Sequence, residues 1–190
     1  MNYSYIMQEK LDDDLYRHCV YTAEAAVSLA EHYGADAEKA YLAGIVHDYG
    51  KRYSGRELLH KADQLGLSLD QVTRKQEKLL HARVGAALLE SELGINDSEI
   101  LNAVVYHTTG REGMSLFEKI IFLADHIEKS RQYEGVDKIR KLAFRDLDQA
   151  LLAAVDTTIR SVLARGLMLH TRSVEFRNSL LAEIGKNDYN

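Results

Sequence analysis

Apolar positions along the chain recur at intervals of three and four residues, which is the spacing of one face of an α-helix. The clearest stretch follows Asp12–Asp14, where apolar residues keep this spacing from Leu15 to Ala30 and Gly34 provides a C-terminal stop. No strand-like alternation lasts long enough to build a sheet. The pattern therefore predicts an all-α fold.

Capping and stop residues divide the rest of the chain into further helices. Ser115, with Glu118 three residues later, has the form of a capping box. The further predicted helices cover approximately residues 36–50, 54–66, 73–93, 100–107, 115–129, 136–143, 146–165 and 174–184. We find no linker, repeat or low-complexity segment, so we predict a single domain over residues 1–190, with its core at about 12–178.

The composition is that of a globular protein, with 46% apolar and 28% charged residues among 190. No apolar run approaches the roughly 20 residues of a membrane span, and the N-terminus lacks a basic start followed by an apolar stretch. We therefore expect a soluble, cytoplasmic protein with no membrane partner. The net charge of −5 argues against binding a long nucleic acid, but it is compatible with a small phosphorylated ligand.

The absence of proline favours long helices joined by short turns. The single cysteine, Cys19, excludes an internal disulfide, and its apolar surroundings on a helix indicate a buried, inert thiol.

The pair His47-Asp48 follows an apolar helical stretch and is the first candidate for chemistry. A buried aspartate is rare unless it is paired or coordinated. By itself the pair also has a purely structural interpretation, in which His47 caps a helix end and Asp48 pairs with Lys51.

Four other residues share this apolar context. His18 lies on an apolar helical face, Asp125 interrupts IIFLADHIE, His81 opens HARVGAALL, and His107 ends LNAVVYH. Each alone is more often a core or cap residue, but an unpartnered carboxylate at Asp125 would cost several kcal/mol. Histidines and carboxylates on the inward faces or ends of several helices are how helical bundles build metal sites.

The donor set narrows the choice of metal. Imidazole and carboxylate without thiolate suit iron, manganese or zinc, and they do not favour a structural zinc site. His32, His60 and His126 lack the apolar context, and we interpret them as surface residues.

Taken in order, these residues resemble a known family. The pattern H…HD…D, formed here by His18, His47-Asp48 and Asp125, resembles the HD superfamily of metal-dependent phosphohydrolases. Longer segments, from about residue 18 to 178, are similar to the YqeK family, whose members are symmetrical diadenosine tetraphosphate hydrolases with iron in the site. These segments are AGIVHDYGK, HARVGA, VVYHTTG, REGMS and FLADHIEKSR.

The resemblance implies an HD-domain helical bundle that holds one or two metal ions, either ferrous or ferric iron, with manganese as the alternative. It implies metal ligation by His18, His47, Asp48 and Asp125. It also implies catalytic or nucleotide contacts at Lys51, His81, His107, Thr108, Asp125, Arg131, His170 and Arg177. The last two lie in LHTRSVEFRN, a segment expected to close on the nucleotide, which matches the family motif only approximately.

The chemistry of phosphoanhydride cleavage agrees with this expectation. A bound cation lowers the pKa of water toward about 7, and the reaction then needs positioning and charge neutralisation more than covalent help. Lys51 and Arg131 suit that role, although both could be solvated surface cations. His81 and His107 could bind a second metal bridged by Asp48, or they could contact phosphate or protonate the leaving group.

The function predicted from the sequence is therefore hydrolysis of diadenosine tetraphosphate, a small dinucleoside polyphosphate, to two ADP. The alternatives are an HD phosphohydrolase acting on another nucleotide and a non-catalytic nucleotide sensor. Without proline, the chain lacks the GYP signature of cyclic-dinucleotide phosphodiesterases. Tyr49-Gly50-Lys51 stands where guanosine-alarmone hydrolases carry an acidic pair. The chain is also compatible with a homodimer.

Overall fold

Helices dominate the computed structural model, which describes residues 2–187. The described residues form eleven α-helices: α1 (Tyr3–Lys10), α2 (Asp13–Tyr33), α3 (Ala37–Val46), α4 (Gly55–Gln64), α5 (Gln71–Lys75), α6 (Leu80–Leu93), α7 (Ser98–Tyr106), α8 (Leu116–Ile127), α9 (Val136–Leu142), α10 (Leu147–Ala164) and α11 (Thr171–Asn187). Two short 3-10 helices cover Tyr49–Arg52 and Glu77–Leu79. No strand occurs among the described residues, so the all-α prediction is confirmed.

The limits of the predicted single domain, 1 and 190, stay a prediction, because residues 1 and 188–190 lie outside the described part of the chain. Within the described part, no helix combines the length and apolar character needed to cross a lipid bilayer.

Side-chain caps set the ends of the helices that carry the site. The Asp12 carboxylate accepts a hydrogen bond from the Leu15 amide at 2.9 Å and starts α2. The predicted capping box starts α8: the Ser115 amide donates to Glu118 at 2.6 Å, and the Glu118 amide donates to the Ser115 hydroxyl at 3.2 Å. Arg111 adds two bonds to the buried Glu118 carboxylate, which ties the loop after α7 to the start of α8.

Helix α8 lies at the centre of the core. Its residues from Ile120 to Ala124 are fully buried, and it packs against α2, α3, α7 and α10. Burial of such a continuous apolar face supplies the main favourable free energy of folding. Because α2, α3 and α7 surround α8, polar side chains on the inward faces or ends of these helices can meet within the core.

The structure differs from the predicted elements in three places. Helix α1 has a weak apolar pattern and buries only Met7, so the spacing of apolar residues in the sequence did not predict this helix. The predicted helix 73–93 is broken at Gln76, whose backbone is non-helical and whose side chain donates to the Met168 carbonyl. Helix α3 ends at Val46 and not at residue 50, and the turn that follows carries His47 and Asp48.

Candidate metal centre

Six of the predicted site residues converge in one place, which we call the His/Asp cluster. It is formed by His18 on α2, His47 and Asp48 after α3, His81 on α6, His107 at the end of α7 and Asp125 on α8. All six side chains are buried or nearly so: His18, the most exposed, retains 13% of its accessible surface.

Asp48 lies at the centre of the cluster, and its two oxygens face different histidines. Its Oδ2 atom lies 3.4 Å from His18 Nε2 and 3.2 Å from His47 Nε2. Its Oδ1 atom lies 3.4 Å from the Nε2 atoms of both His81 and His107. The carboxylate is therefore placed between two pairs of imidazoles.

Asp125 lies beside the first pair of imidazoles, His18 and His47. Its Oδ1 atom lies 3.0 Å from His18 Nε2 and 3.8 Å from His47 Nε2. Donor atoms of His18, His47 and Asp125 lie within 4.8 Å of one another, and so do those of Asp48, His81 and His107. Each group could hold a cation, and Asp48 adjoins both.

The backbone orients three of the imidazoles in the same way. In His47, His81 and His107, Nδ1 faces the carbonyl oxygen of the residue three positions earlier. The distances are 2.7 Å to Gly44, 2.6 Å to Lys78 and 2.7 Å to Val104. A carbonyl can only accept, so each Nδ1 carries the proton and each Nε2 presents its lone pair to the cluster. This is the arrangement that metal-binding histidines require.

His18 is oriented by a carboxylate that the sequence analysis missed. Its Nδ1 atom lies 3.2 Å from Glu128 Oε1, and the Glu128 side chain is fully buried. The amide and the hydroxyl of Ser130 each donate to Glu128 at 2.6 Å. The signal available in the sequence was an acidic residue three positions after Asp125, at the end of an apolar helix.

A glycine brings the Asp48 turn close to α6. A Cβ atom at Gly50 would collide with the carbonyl oxygen of His81. Only glycine therefore permits the 3-10 helix after Asp48 to lie directly against the backbone that carries His81.

Unsatisfied polar atoms indicate that the cluster fits a cation. His47 Nε2 and Asp48 Oδ1 are buried and have no hydrogen-bond partner among the described residues, whereas buried polar groups are normally paired. Cys19 also lies near His47 and Asp48, but burial raises the pKa of its thiol well above the usual value. The protonated thiol is a poor ligand. The cluster is therefore suited to a divalent metal held by imidazole and carboxylate.

Both aspartates of the cluster are held in the ionised state. Burial opposes ionisation of Asp48, but the adjacent His47 ring and the charge of Lys51 outweigh it and place the Asp48 pKa well below the usual value. Burial likewise opposes ionisation of Asp125, and the hydrogen bond from His18 together with the charge of Arg131 lowers its pKa well below normal. By contrast, burial lowers the pKa of His81 to about 3.

Two predicted cations and a hydroxyl lie at the rim of the cluster. Lys51 donates to Asp48 Oδ2 at 2.6 Å. This ion pair was also expected from the purely structural interpretation, in which Asp48 pairs with Lys51. Arg131 pairs with the Asp125 carboxylate and donates from Nε to the Asp125 carbonyl at 2.8 Å. The Thr108 hydroxyl lies 3.3 Å from His81 Nε2. The side chains of Lys51 and Arg131 remain 36% and 37% exposed, so an anion can reach them.

The structure does not bring His170 and Arg177 into the cluster. His170 Nε2 lies 3.3 Å from Asp70 Oδ2, and Arg177 Nε donates to Asp156 at 2.5 Å. Their contact with a nucleotide therefore stays a prediction.

Helix α11 nevertheless reaches the loop that follows His107. The Ser173 hydroxyl donates to the Thr109 carbonyl at 3.0 Å. Phe176 fills the space beside Gly110, which has a φ of +64° and no room for a Cβ atom. The start of α11 is thereby anchored beside the cluster.

The surface interpretation is confirmed for His32 and His60, which are exposed, and it is wrong for His126. The His126 ring stacks on Phe122 at 4.5 Å between centroids. Its Nδ1 donates to the Phe122 carbonyl at 2.8 Å, and its Nε2 lies 3.0 Å from the Thr158 hydroxyl. Packing of α10 over this side of α8 covers the ring, which local sequence context does not reveal.

Comparison with known proteins identifies the family. The HD domain model matches residues 15–130. A Halalkalibacterium halodurans protein named symmetrical bis(5'-nucleosyl)-tetraphosphatase is 39% identical over 178 residues, covering 94% of this chain and 95% of that protein. A Bacillus subtilis protein of the same name is 41% identical over 153 residues, covering 80% and 82%.

A solved structure agrees with these relatives. The crystal structure of a Clostridium acetobutylicum protein, described as a predicted HD superfamily hydrolase involved in NAD metabolism, matches with a TM-score of 0.92 and 39% identity. The match covers 95% of this chain and 96% of that one. The chain therefore belongs to the HD domain family of hydrolases and, within it, to the YqeK family that its motifs resemble.

Proposed function

We propose that this chain hydrolyses diadenosine tetraphosphate symmetrically to two ADP. The observation that carries the proposal is the buried His/Asp cluster, in which four imidazoles and two carboxylates converge. The cluster occurs in a chain that is 37–41% identical to three proteins named symmetrical bis(5'-nucleosyl)-tetraphosphatase.

We assign the metal to His18, His47, Asp48 and Asp125, and we propose iron as the native metal, with manganese as the substitute. Nitrogen and oxygen donors without thiolate favour these metals. When bound, such a cation lowers the pKa of water toward about 7 and offsets phosphate charge. The second group of donors, formed by Asp48, His81 and His107, could hold a second ion.

The residues at the rim would bind the polyphosphate. The Lys51 ammonium and the Arg131 guanidinium each pair with one cluster aspartate while remaining partly exposed. They can therefore donate to phosphate oxygens and offset the charge that develops during cleavage. The Thr108 hydroxyl would orient a phosphate oxygen beside His81 and His107.

The structure favours one of the two roles considered for His81. Its Nδ1 is fixed on a carbonyl oxygen, and burial lowers its pKa to about 3. A neutral imidazole with Nε2 turned toward Asp48 and His107 is suited to ligation or to accepting a hydrogen bond. It is poorly suited to donating a proton to the leaving group.

Symmetrical products require that the central phosphoanhydride bond lie in line with the attacking water. A site that accepts an ADP unit on one side of the cluster would place the central bond there. A site that accepts only AMP would shift the cut by one phosphate and give AMP and ATP. The depth of the nucleotide site thus decides the product pattern.

Chromatography of the products tests the proposal directly. Protein purified without oxygen and supplied with ferrous iron should convert diadenosine tetraphosphate to ADP alone. Equal amounts of AMP and ATP would contradict symmetrical cleavage. Rapid cleavage of a mononucleotide without turnover of the dinucleotide would instead support an HD phosphohydrolase of different specificity, and nucleotide binding without any turnover would support a sensor.

A further inference from the structure

The last carbonyl oxygens of α8 have no amide one helical turn further on to bind them. Arg140, on α9, satisfies one of these oxygens and two more beyond the helix end. Its Nε atom donates to the carbonyl of Ile127 at 2.9 Å, and its Nη2 atom donates to those of Glu128 at 2.7 Å and Arg131 at 2.9 Å. Its Nη1 atom donates to the Asp137 carboxylate at 2.9 Å. One guanidinium thus ties the end of α8 to the chain that follows it.

Residues 128–131, which we call the exit segment, carry two side chains that act on the His/Asp cluster. The Glu128 carboxylate lies 3.2 Å from His18 Nδ1, and the Arg131 guanidinium pairs with the Asp125 carboxylate. The backbone leaves the helical conformation at Glu128, where ψ is 154°. Helix α8 therefore does not by itself fix the positions of these two side chains.

Arg140 makes no hydrogen bond or ion pair with a cluster residue within the described part of the chain. Its influence on the cluster must therefore pass through the exit segment. We propose that Arg140 is a positioning residue for the metal centre, which acts by fixing the exit segment. Through this segment it holds Glu128 against His18 and holds the rim guanidinium in place. The inference rests on the proposed function, in which the cluster binds the metal of a hydrolase.

The shape of the Arg140 guanidinium suits this role. A guanidinium presents N–H donors from three nitrogens in one plane, and all three nitrogens of Arg140 are engaged. A lysine ammonium offers its donors from a single nitrogen, so it could not reproduce this spread of bonds. The positive charge also lies at the C-terminal end of α8, where the helix dipole favours a cation.

Helix α9 provides a rigid support for the guanidinium. Val136 and Ile139 are buried, and α9 packs against both α8 and α10. The Arg140 side chain is 30% exposed, so a small cation from solvent can reach this position when the side chain is removed. Groups that orient a metal ligand from behind typically change metal affinity by about 10–100-fold, which sets the scale of the expected effect.

Manganese binding to the full chain tests the role of Arg140 without nucleotide or turnover. Arg140→Ala should lower manganese affinity about tenfold in competition with a chelator, because Glu128 remains but is no longer held in place. Arg140→Lys should lose about as much affinity, since it keeps the charge but not the planar set of donors. Guanidinium chloride at millimolar concentration should restore the affinity of Arg140→Ala, whereas sodium chloride at the same concentration should not.

Two variants of α9 provide matched controls. Lys141→Ala removes an exposed cation from the neighbouring position and should leave manganese affinity unchanged. Ile139→Val removes a buried methyl group and should lower the melting temperature. It leaves the bonds of Arg140 in place, so manganese affinity should again be unchanged. A loss in Ile139→Val equal to that in Arg140→Ala would overturn the proposal, because the general stability of α9 would then govern metal binding.

The double variant Glu128→Gln/Arg140→Ala shows whether Glu128 carries the effect. Its manganese affinity should equal that of Glu128→Gln alone within about twofold, because the two residues act in one network. Additive losses would overturn the proposal, as would unchanged affinity in Arg140→Ala or failure of guanidinium to restore it. If Arg140→Ala does not fold, Arg140→Lys carries the test. If manganese binding follows the expected pattern but diadenosine tetraphosphate is not hydrolysed, the proposed function fails and the positioning role stands.

Discussion

The His/Asp cluster and helix α11 lie on either side of the loop that contains Thr108 and Thr109, yet the structure holds their functional groups in different ways. In the cluster, each imidazole is oriented by a carbonyl or by the Glu128 carboxylate. Helix α11 is anchored, but its Arg177 side chain is paired with the partly exposed Asp156 carboxylate. The cluster is thus organised before a ligand arrives, whereas α11 would have to exchange partners.

The largest expected effect comes from removing a ligand of the cluster. His47→Ala and Asp125→Ala should each lower turnover by at least about 10³-fold, because the cation no longer offsets phosphate charge. Asp125→Ala should still fold, since it removes a buried charge together with the metal. Turnover, metal content and melting temperature are the measurements.

His32→Ala provides the matched control for these variants, because His32 is exposed. It should keep both metal and activity. Retained activity in His47→Ala or Asp125→Ala would break the assignment of these residues as ligands.

Removal of the rim cations should have the next largest effect. Lys51→Ala and Arg131→Ala should keep the metal but lose about 10²–10³-fold in rate, as is typical when one preorganised donor is removed from a transition state. The measurements are steady-state kinetics and metal content. Lys129→Ala is a suitable control, since Lys129 pairs with Glu24 on the surface. Normal rates in both rim variants would show that these groups are surface cations.

Glu128 offers a smaller and more selective test of how the cluster is organised. Glu128→Gln keeps an acceptor for the His18 Nδ1 proton but removes the negative charge, so we expect metal affinity to fall by about 10–100-fold. Competition with a chelator measures this. Glu24→Gln, at an exposed position, should leave the affinity unchanged. Unaltered affinity in Glu128→Gln would mean that the carboxylate only packs against His18.

The fold and the cluster were predictable for a physical reason. Helical periodicity and caps depend on neighbouring residues, and they correctly placed α2, α8 and α10. Buried ionisable residues within apolar helices need partners, and this requirement singled out Asp125. The family and the hydrolase class, which followed from the ordered motifs, are confirmed by the comparisons.

The missed features depend on contacts between distant parts of the chain. Gln76, where the predicted helix is broken, contacts Met168 through its side chain, and His126 contacts Thr158 on α10. Glu128 orients His18 from 110 residues away. No local pattern specifies these contacts, since a polar residue at or near a helix end, such as Glu128 after α8, is equally compatible with exposure to solvent.

The smallest expected effect is a change in KM, and it would show whether α11 takes part in nucleotide binding. Arg177 donates to Asp156, and a partly exposed ion pair of this kind contributes little to stability. If α11 closes on the nucleotide, Asp156→Asn should release the guanidinium and lower KM by about threefold, whereas Arg177→Ala should raise KM by a similar factor. Metal affinity should not change in either variant, because neither residue contacts the cluster. Opposite shifts of KM would show that Arg177 exchanges a carboxylate for a phosphate. Unchanged KM in both variants would confine recognition to the cluster and its rim, and the implied roles of Arg177 and His170 would then be abandoned.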